Sequence, residues 1–179
     1  MKLLTAEDLA AVPDRPRCEL LDGRIVPLGP TSDAHGGIEL KVGAALDRFV
    51  SPRKLGKVRV GEVGIITRRN PDRVRGADVL FISNERWATR TPGKAFLDVA
   101  PELVAEVLSA DNTAAGMMQK LREYFALGVR LVWVADPGSR TVLAYRSLTD
   151  VRELGERDTL TPEDVLPGFA VAVSELFDS

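Results

Sequence analysis

The spacing of apolar residues predicts two long amphipathic helices. The first is capped by Asp33, and its apolar positions recur every three or four residues: Ile38, Val42, Ala45, Leu46, Phe49 and Val50. The second is capped by Asp111 or Thr113 and ended by Gly128. Its inner face comprises Ala114, Met117, Met118, Leu121, Tyr124 and Phe125. Thr5 and Asp8 predict a third, short helix over residues 6–12, through a pattern that resembles a capping box.

Shorter apolar runs between these helices predict strands. Asp22-Gly23 lies between two such runs and predicts a hairpin. Residues 56–60 and 62–67 predict two strands of an antiparallel pair, followed by a basic loop over residues 68–76. Further strands are predicted at residues 78–82, 101–109, 129–135 and 141–146. The order of elements predicts a single α/β domain over residues 1–179, with a central sheet of mixed direction flanked by helices.

Composition narrows the kinds of site that the chain can build. The chain has 179 residues, a formal net charge of −2, one cysteine and one histidine. A generally basic nucleic-acid binder is therefore not indicated. A zinc cluster of cysteines or histidines is excluded, so a metal would be held mostly by carboxylates and water, which favours Mg²⁺ or Mn²⁺. No signal peptide or membrane-spanning run is present, which predicts a cytoplasmic protein.

Three carboxylates interrupt the predicted strands. Glu106 lies in the apolar run 101–109, Asp78 begins the run 78–82, and Glu19 lies in the first hairpin strand. Burying a charge costs on the order of several kcal/mol unless the charge is paired, protonated or bound to a cation. Carboxylates that converge at a sheet edge suit a hard cation and phosphodiester hydrolysis, and Lys120 on the following helix could add a positive charge. The alternative is that these acids are paired with arginines in a structural, self-associating domain.

Several segments, taken in order, resemble a known family. They are Glu-Leu-Leu-Asp-Gly at 19–23, Ser-Asp-Ala-His at 32–35, Ala-Asp-Val-Leu-Phe-Ile at 77–82, Pro-Glu-Leu-Val-Ala-Glu-Val-Leu-Ser at 101–109, and Lys120 with Tyr124, Gly128, Val129, Trp133, Val134, Asp136 and Pro137. This set is similar to the Uma-type family of predicted restriction endonucleases, in the PD-(D/E)XK nuclease superfamily. The resemblance runs from Thr5 to the Leu-Pro-Gly of 166–168.

The resemblance implies a fold, a reaction and a set of residues. The fold is a restriction-endonuclease-like core, and the reaction is Mg²⁺-dependent (or Mn²⁺-dependent) cleavage of DNA phosphodiester bonds. Asp78 and Glu106 would be the metal-binding carboxylates, and Glu19 an additional acid of the site. Cutting both strands of a duplex would suit a homodimer.

The sequence departs from the superfamily pattern at two positions. Ala77 stands where the pattern has proline, and Leu108 stands where it has lysine. Lys120 can supply the lysine from the following helix. An alternative function is therefore an inactive nuclease-fold protein that binds nucleic acid or regulates another process.

Basic residues and the single histidine are candidates for contacts with the substrate. Arg68, Arg69, Arg73 and Arg75 precede Asp78 and could contact the DNA backbone, or they could form a solvated loop. His35 lies in the first turn of the long helix and could position a phosphate or water, or it could be a capping or surface residue.

Overall fold

The computed structural model describes residues 2–110 and 112–178, so the predicted cap at Asp111 lies outside the described residues. The helices are α1 (Ala6–Ala10), α2 (Asp33–Val50), α3 (Asn84–Thr89), α4 (Ala114–Leu127) and α5 (Val173–Phe177). The strands are β1 (Cys18–Leu21), β2 (Arg24–Pro27), β3 (Gly56–Arg68), β4 (Arg73–Ser83), β5 (Leu103–Val107), β6 (Leu131–Asp136), β7 (Thr141–Tyr145), β8 (Val151–Leu154), β9 (Thr159–Leu160) and β10 (Val171–Ala172).

Eight of these strands form one mixed sheet. Seven run in the order β2-β1-β4-β5-β6-β7-β8, and β3 pairs with β4 beside that path. Strands β5 and β6 are parallel, because α4 connects them as a crossover, whereas the other pairs of this sheet are antiparallel. Strands β9 and β10 form a separate two-stranded sheet. The predicted α/β fold, with a central mixed sheet flanked by helices, is confirmed.

The two long helices cover parts of the sheet through the faces that their apolar spacing predicted. Ile38, Val42 and Leu46 of α2 belong to the same buried cluster as Val79 and Phe81 of β4. Leu121 and Tyr124 of α4 pack in a second cluster, together with Leu80, Val104 and Val132 of the sheet. Alternate residues of β4 therefore face different cores, as the two-residue period of a strand requires. No helix in the described ranges is long and apolar enough to cross a membrane.

Side-chain caps fix where the helices begin. Thr5 and Asp8 form the predicted capping box of α1, although this helix ends at Ala10. Ser32, rather than the predicted Asp33, caps α2 by accepting a hydrogen bond from the His35 N–H. Thr113 caps α4, and Gly128 ends it with φ +105, a left-handed conformation that glycine adopts readily.

The strand pair predicted over residues 56–67 is wrong, because this segment is part of one continuous strand, β3. Val60 pairs with Val79 and Val63 with Ala77, so Gly61 and Glu62 together oppose Asp78. Gly61 has φ +90 and Glu62 has φ +57. Gly61, which lies between the two predicted strands, therefore forms part of a β-bulge, which bends the strand next to Asp78. The predicted basic loop is also shorter than expected, since β4 begins at Arg73.

A core substitution in β4 tests this packing. Leu80 of β4 is fully buried in the cluster that includes Leu121 and Tyr124 of α4. Leu80→Ala is expected to lower the free energy of unfolding by about 2–5 kcal/mol, because it leaves a cavity. Urea unfolding followed by circular dichroism measures the change. Leu40→Ala on the exposed side of α2 is the control, and it should change stability by no more than about 0.5 kcal/mol. Equal effects of the two substitutions would contradict the assignment of Leu80 to the core.

Candidate active site

Strand β4 has a segment that neither neighbour on one edge covers. Along that edge β4 pairs with β1 at Val74 and with β5 from Val79 to Phe81. At Gly76, between these two points, side chains take the place of a neighbouring strand. The Gly76 N–H donates to Glu19 Oε1 at 3.1 Å, and the Gly76 carbonyl accepts from Lys120 Nζ at 3.0 Å. Three of the elements that carry predicted site residues therefore meet at this gap.

Glu19 is held at the gap by an arginine. Its carboxylate is buried and accepts a hydrogen bond from Arg75 Nη1 at 2.7 Å. Lys120 Nζ lies 3.4 Å from Glu19 Oε1. Glu19 is thus compensated by two cations and one backbone N–H, which offsets the cost of burying its charge.

Asp78 lies where β4 and β5 separate. The pairing of Val79 with Ala105, continued by one residue, sets Asp78 opposite Glu106. The Val107 N–H donates to Asp78 Oδ2 at 2.7 Å, while Oδ1 lies 3.4 Å from His35 Nε2. Burial by itself would raise the pKa of Asp78, but His35 and the Val107 N–H hold it below its usual value.

Glu106 and Lys120 form a buried ion pair. Lys120 Nζ donates to Glu106 Oε2 at 2.7 Å, and the Tyr124 hydroxyl donates to Oε1 at 2.6 Å. Burial, opposed by Lys120 and reinforced by Asp78, raises the pKa of Glu106 to about 7. Burial would lower the pKa of Lys120, but the facing carboxylates raise it, so the lysine stays charged. The side chain of Lys120 therefore reaches back from α4 to the strand.

The gap opens into a cleft of about 460 Å³. Among the described residues, its walls carry four carboxylates, of Glu19, Glu62, Asp78 and Glu106, and three cations, of Arg17, Arg75 and Lys120. Asp78 and Glu106 both face this cleft, and neither forms an ion pair with an arginine in the described ranges. The alternative of a structural domain with both acids bridged to arginine is not supported.

Behind the cleft, Arg75 is fixed by a second acid, Glu123 on α4. Arg75 Nε and Nη2 each donate to Glu123 at 2.8 Å, a two-point contact that sets the plane of the guanidinium. Thr67 and Gln119 also donate to this carboxylate, at 3.0 and 3.1 Å, and Arg73 pairs with it. Burial alone would raise the pKa of Glu123, but these donors lower it to about 2.

His35 faces the cleft from α2. It is 3 % exposed, and neither ring nitrogen has a hydrogen-bond partner among the described residues. Its Nε2 lies 3.8 Å from Oε2 of Glu39, one helical turn further along α2. The Asp78 carboxylate contributes most to the raised pKa of His35, whereas burial opposes this shift. The predicted site residue therefore lies at the site, and it brings a carboxylate that the sequence did not single out.

Of the four arginines predicted to contact DNA, only Arg75 is among the residues that line the cleft. Arg68 pairs with Asp22, Arg69 with Glu7 and Asp72, and Arg73 with Asp22 and Glu123. These ion pairs tie the β3–β4 turn to α1, the end of β3 to the β1–β2 turn, and the start of β4 to the β1–β2 turn and to α4. Contact of these arginines with DNA stays a prediction.

Comparisons with known proteins bear on the family and the fold of the chain. Residues 5–174 match the profile of the Uma2 family, whose description is "Putative restriction endonuclease". This chain belongs to the Uma2 family. The resemblance predicted from the sequence is confirmed.

The fold of this Uma2 protein also has a counterpart among solved structures. It is similar to the crystal structure of "a putative nuclease belonging to DUF820" from Anabaena variabilis, with a TM-score of 0.81 and 17% sequence identity over 97% of each chain. At this identity, the likeness shows that the two proteins share a fold. A comparison with curated proteins gives no match.

Sequence reasoning missed several side chains that shape the site in this Uma2 protein. Glu39 follows His35 by four residues, which puts both side chains on one helix face. That spacing is a sequence signal from which Glu39 could have been predicted as a site residue. Glu62 lies against Gly76, where a Cβ would come within 2.3 Å of Glu62 Oε2, and it pairs with Arg17. Burial, and then the nearby Asp78, raise the pKa of Glu62. Its position depends on the bulge, which the sequence pattern did not predict.

The lowered pKa of Glu123 predicts that the stability of the protein depends on pH. Its pKa in the folded protein, about 2, lies below its usual value of 4.5. Its stabilisation is therefore complete above pH 4.5 and is lost as the pH falls toward about 2. Allowing for partial solvent screening, Glu123→Gln should cost about 2 kcal/mol at neutral pH, with the difference from wild type shrinking in acid. Urea unfolding on either side of this window measures it.

The matched control for that prediction is Glu153→Gln, on the exposed part of β8. It should follow the wild-type stability at every pH. A difference between wild type and Glu123→Gln that stayed constant with pH would show that Glu123 contributes through packing rather than through its charge.

Proposed function

We propose that this Uma2 protein is a metal-dependent endonuclease that hydrolyses DNA phosphodiester bonds. Asp78 and Glu106 would hold Mg²⁺ or Mn²⁺, and Lys120 would assist. The observation that carries the proposal is the meeting of these three side chains at the uncovered edge of β4, where Lys120 Nζ lies 2.7 Å from Glu106. Family membership supports a nuclease, and the chemistry of the cleft supports this type of nuclease.

The side chains in the cleft fit a divalent cation. Asp78 and Glu106 are 2% and 3% exposed, they lie opposite each other, and both offer the oxygen ligands that Mg²⁺ and Mn²⁺ prefer. Carboxylates outnumber cations in the cleft walls, and Arg75 is shared with Glu123 behind them. A bound divalent cation would lower the pKa of a coordinated water and neutralise charge that develops on the phosphate.

Lys120 would act on the reacting groups. Its amine is held by the Gly76 carbonyl and the Glu106 carboxylate, so its position is fixed before substrate enters. A charged amine beside the scissile phosphate would stabilise the negative charge of the transition state or hold the attacking water. Tyr124 acts as a positioning residue in this arrangement, because its hydroxyl orients Glu106.

Glu19 and Arg75 hold this arrangement in place. Glu19 accepts the hydrogen bond from Gly76 and faces Lys120 at 3.4 Å, which keeps the amine centred over the gap. Arg75 fixes Glu19 and also lines the cleft, where its guanidinium could meet a phosphate of the substrate. The family description supports DNA as the substrate, and the homodimer stays a prediction.

A second candidate function is an inactive nuclease fold that binds nucleic acid or regulates another process. The observation that favours it is that both oxygens of Glu106 already accept hydrogen bonds, from Lys120 and Tyr124. In that case, calorimetry would detect no binding of Mg²⁺ or Mn²⁺ at millimolar concentration, while DNA binding would persist.

Cleavage assays test the proposed function. Purified protein should cut plasmid DNA only when Mg²⁺ or Mn²⁺ is present. Glu106→Gln should lower the cleavage rate by about 100-fold or more, because it removes a charged ligand, and Lys120→Ala should lower it by a similar factor through the lost transition-state charge. Agarose gels read out the rate of nicking.

The matched controls carry the same chemical changes away from the cleft. Glu153→Gln lies on β8, and Lys41→Ala lies half-buried on α2 without an ion pair in the described residues. Both should cut at the wild-type rate. Metal-dependent cleavage that persisted in Glu106→Gln would remove Glu106 from the mechanism.

A further inference from the structure

The imidazole of His35 lacks the partners that a buried polar group normally has. Both ring nitrogens are buried, and neither forms a hydrogen bond of acceptable geometry with a described residue. An unsatisfied polar group in a protein interior costs about 1–3 kcal/mol, so most buried polar side chains have a partner or a bound ion or water. The proposed cleavage chemistry does not use this ring, which leaves its position unexplained.

Two carboxylates converge on the same ring nitrogen, and a backbone N–H orients each of them. Asp78 Oδ2 accepts from Val107 N at 2.7 Å, and Oδ1 lies 3.4 Å from His35 Nε2. Glu39 Oε1 accepts from Gly61 N, in the β-bulge, at 2.7 Å, and Oε2 lies 3.8 Å from the same nitrogen. Each carboxylate thus has one oxygen fixed by the backbone and one oxygen directed at His35. Preoriented ligands of this kind are typical of metal sites.

The spacing fits three ligands of one ion. One ligand atom from each of His35, Glu39 and Asp78 can be chosen so that all three lie within 4.8 Å of one another. Nitrogen and oxygen ligands lie about 2.0–2.2 Å from a transition-metal ion, so two ligands of one ion are at most about 4.4 Å apart. The two separations from His35 Nε2, 3.4 Å to Asp78 and 3.8 Å to Glu39, fall within that limit. The range of 4.8 Å for the whole set is slightly above it, so a bound ion would draw the ligands slightly closer together.

We propose that His35, Glu39 and Asp78 form a second divalent-cation site, on the α2 side of Asp78, which favours Mn²⁺ and other transition metals over Mg²⁺. An imidazole nitrogen binds transition metals more strongly than it binds Mg²⁺, which prefers oxygen ligands. Asp78 belongs to both sites, so a role of the second ion in cleavage rests on the proposed function, whereas metal binding by His35 does not.

The competing arrangement is an imidazolium that forms an ion pair with Asp78 and Glu39 and requires no metal. The two arrangements differ in whether a nitrogen atom is bonded to the ion. Because His35 is the single histidine of the chain, any imidazole bonded to a metal must be this one, provided that the protein carries no polyhistidine tag.

The decisive measurement is pulsed electron paramagnetic resonance of the untagged, full-length protein loaded with Mn²⁺. The wild-type spectrum should show nuclear coupling to an imidazole nitrogen, and the coupling pattern should change when the protein is labelled with ¹⁵N-histidine. A Mn²⁺ spectrum without imidazole coupling, from protein that binds Mn²⁺, would overturn the proposed site. Absence of any Mn²⁺ binding would overturn it as well.

Calorimetry with variants gives a second, independent readout. His35→Ala should weaken Mn²⁺ binding by at least about tenfold, and Mg²⁺ binding by much less. Glu39→Gln, which keeps the hydrogen bond from Gly61 available, should also weaken Mn²⁺ binding and guards against a His35 variant that fails to fold. Glu153→Gln is the control and should bind both ions like the wild type. Equal loss of Mg²⁺ and Mn²⁺ affinity in His35→Ala would contradict the selectivity.

The outcomes separate this site from the proposed function. Imidazole coupling together with no DNA cleavage would support the second site and count against the endonuclease. Cleavage that depends on Glu106, together with no imidazole coupling, would support the endonuclease and overturn the second site.

Discussion

The organisation of the site depends on a stretch of β4 that, within residues 2–110 and 112–178, no strand covers on one edge. A buried backbone N–H or carbonyl without a partner is costly, so this stretch needs donors and acceptors from elsewhere. At Gly76 they come from Glu19 and Lys120, which are also candidates for the chemistry. The same contacts therefore complete the sheet and hold the site, and loss of Lys120 would leave the Gly76 carbonyl without this partner, at a cost of about 1–3 kcal/mol.

The charges around this gap are compensated unevenly. On the side of β1 and α4, Arg75 and Lys120 lie within hydrogen-bond or ion-pair distance of Glu19, Glu106 and Glu123. On the side of α2, Asp78 and Glu39 face an imidazole that carries full charge only when protonated. Compensation next to α2 therefore depends on the protonation of one imidazole, whose pKa Asp78 raises. When that imidazole is neutral, electrostatics would draw an added cation toward that side of Asp78.

The sequence predicted the parts of this arrangement that depend on local pattern. The helical faces, the Asp22-Gly23 hairpin and the polar interruptions at Asp78 and Glu106 all follow from spacing and burial. The bulge at Gly61 and Glu62 was not predicted, because a glycine between two apolar runs signals a turn as readily as a bulge. The partners of Arg75 were not predicted either, since they come from β1 and α4 and depend on the tertiary fold. Long-range ion pairs leave no periodic signal in a sequence.

Leu108 illustrates how a departure from a pattern can be resolved by the fold. It lies two residues after Glu106, where the superfamily pattern has lysine, and it packs in the core cluster that includes Leu121 and Tyr124 of α4. Leu108, directly after β5, thus packs against an apolar cluster to which the helix contributes, and the helix brings a charge to the strand through Lys120. Among the described residues, Lys120 of α4 is the one whose side chain donates to both the Gly76 carbonyl and Glu106. Lys120 therefore brings an amine into the cleft and also completes the hydrogen bonding of β4 at Gly76.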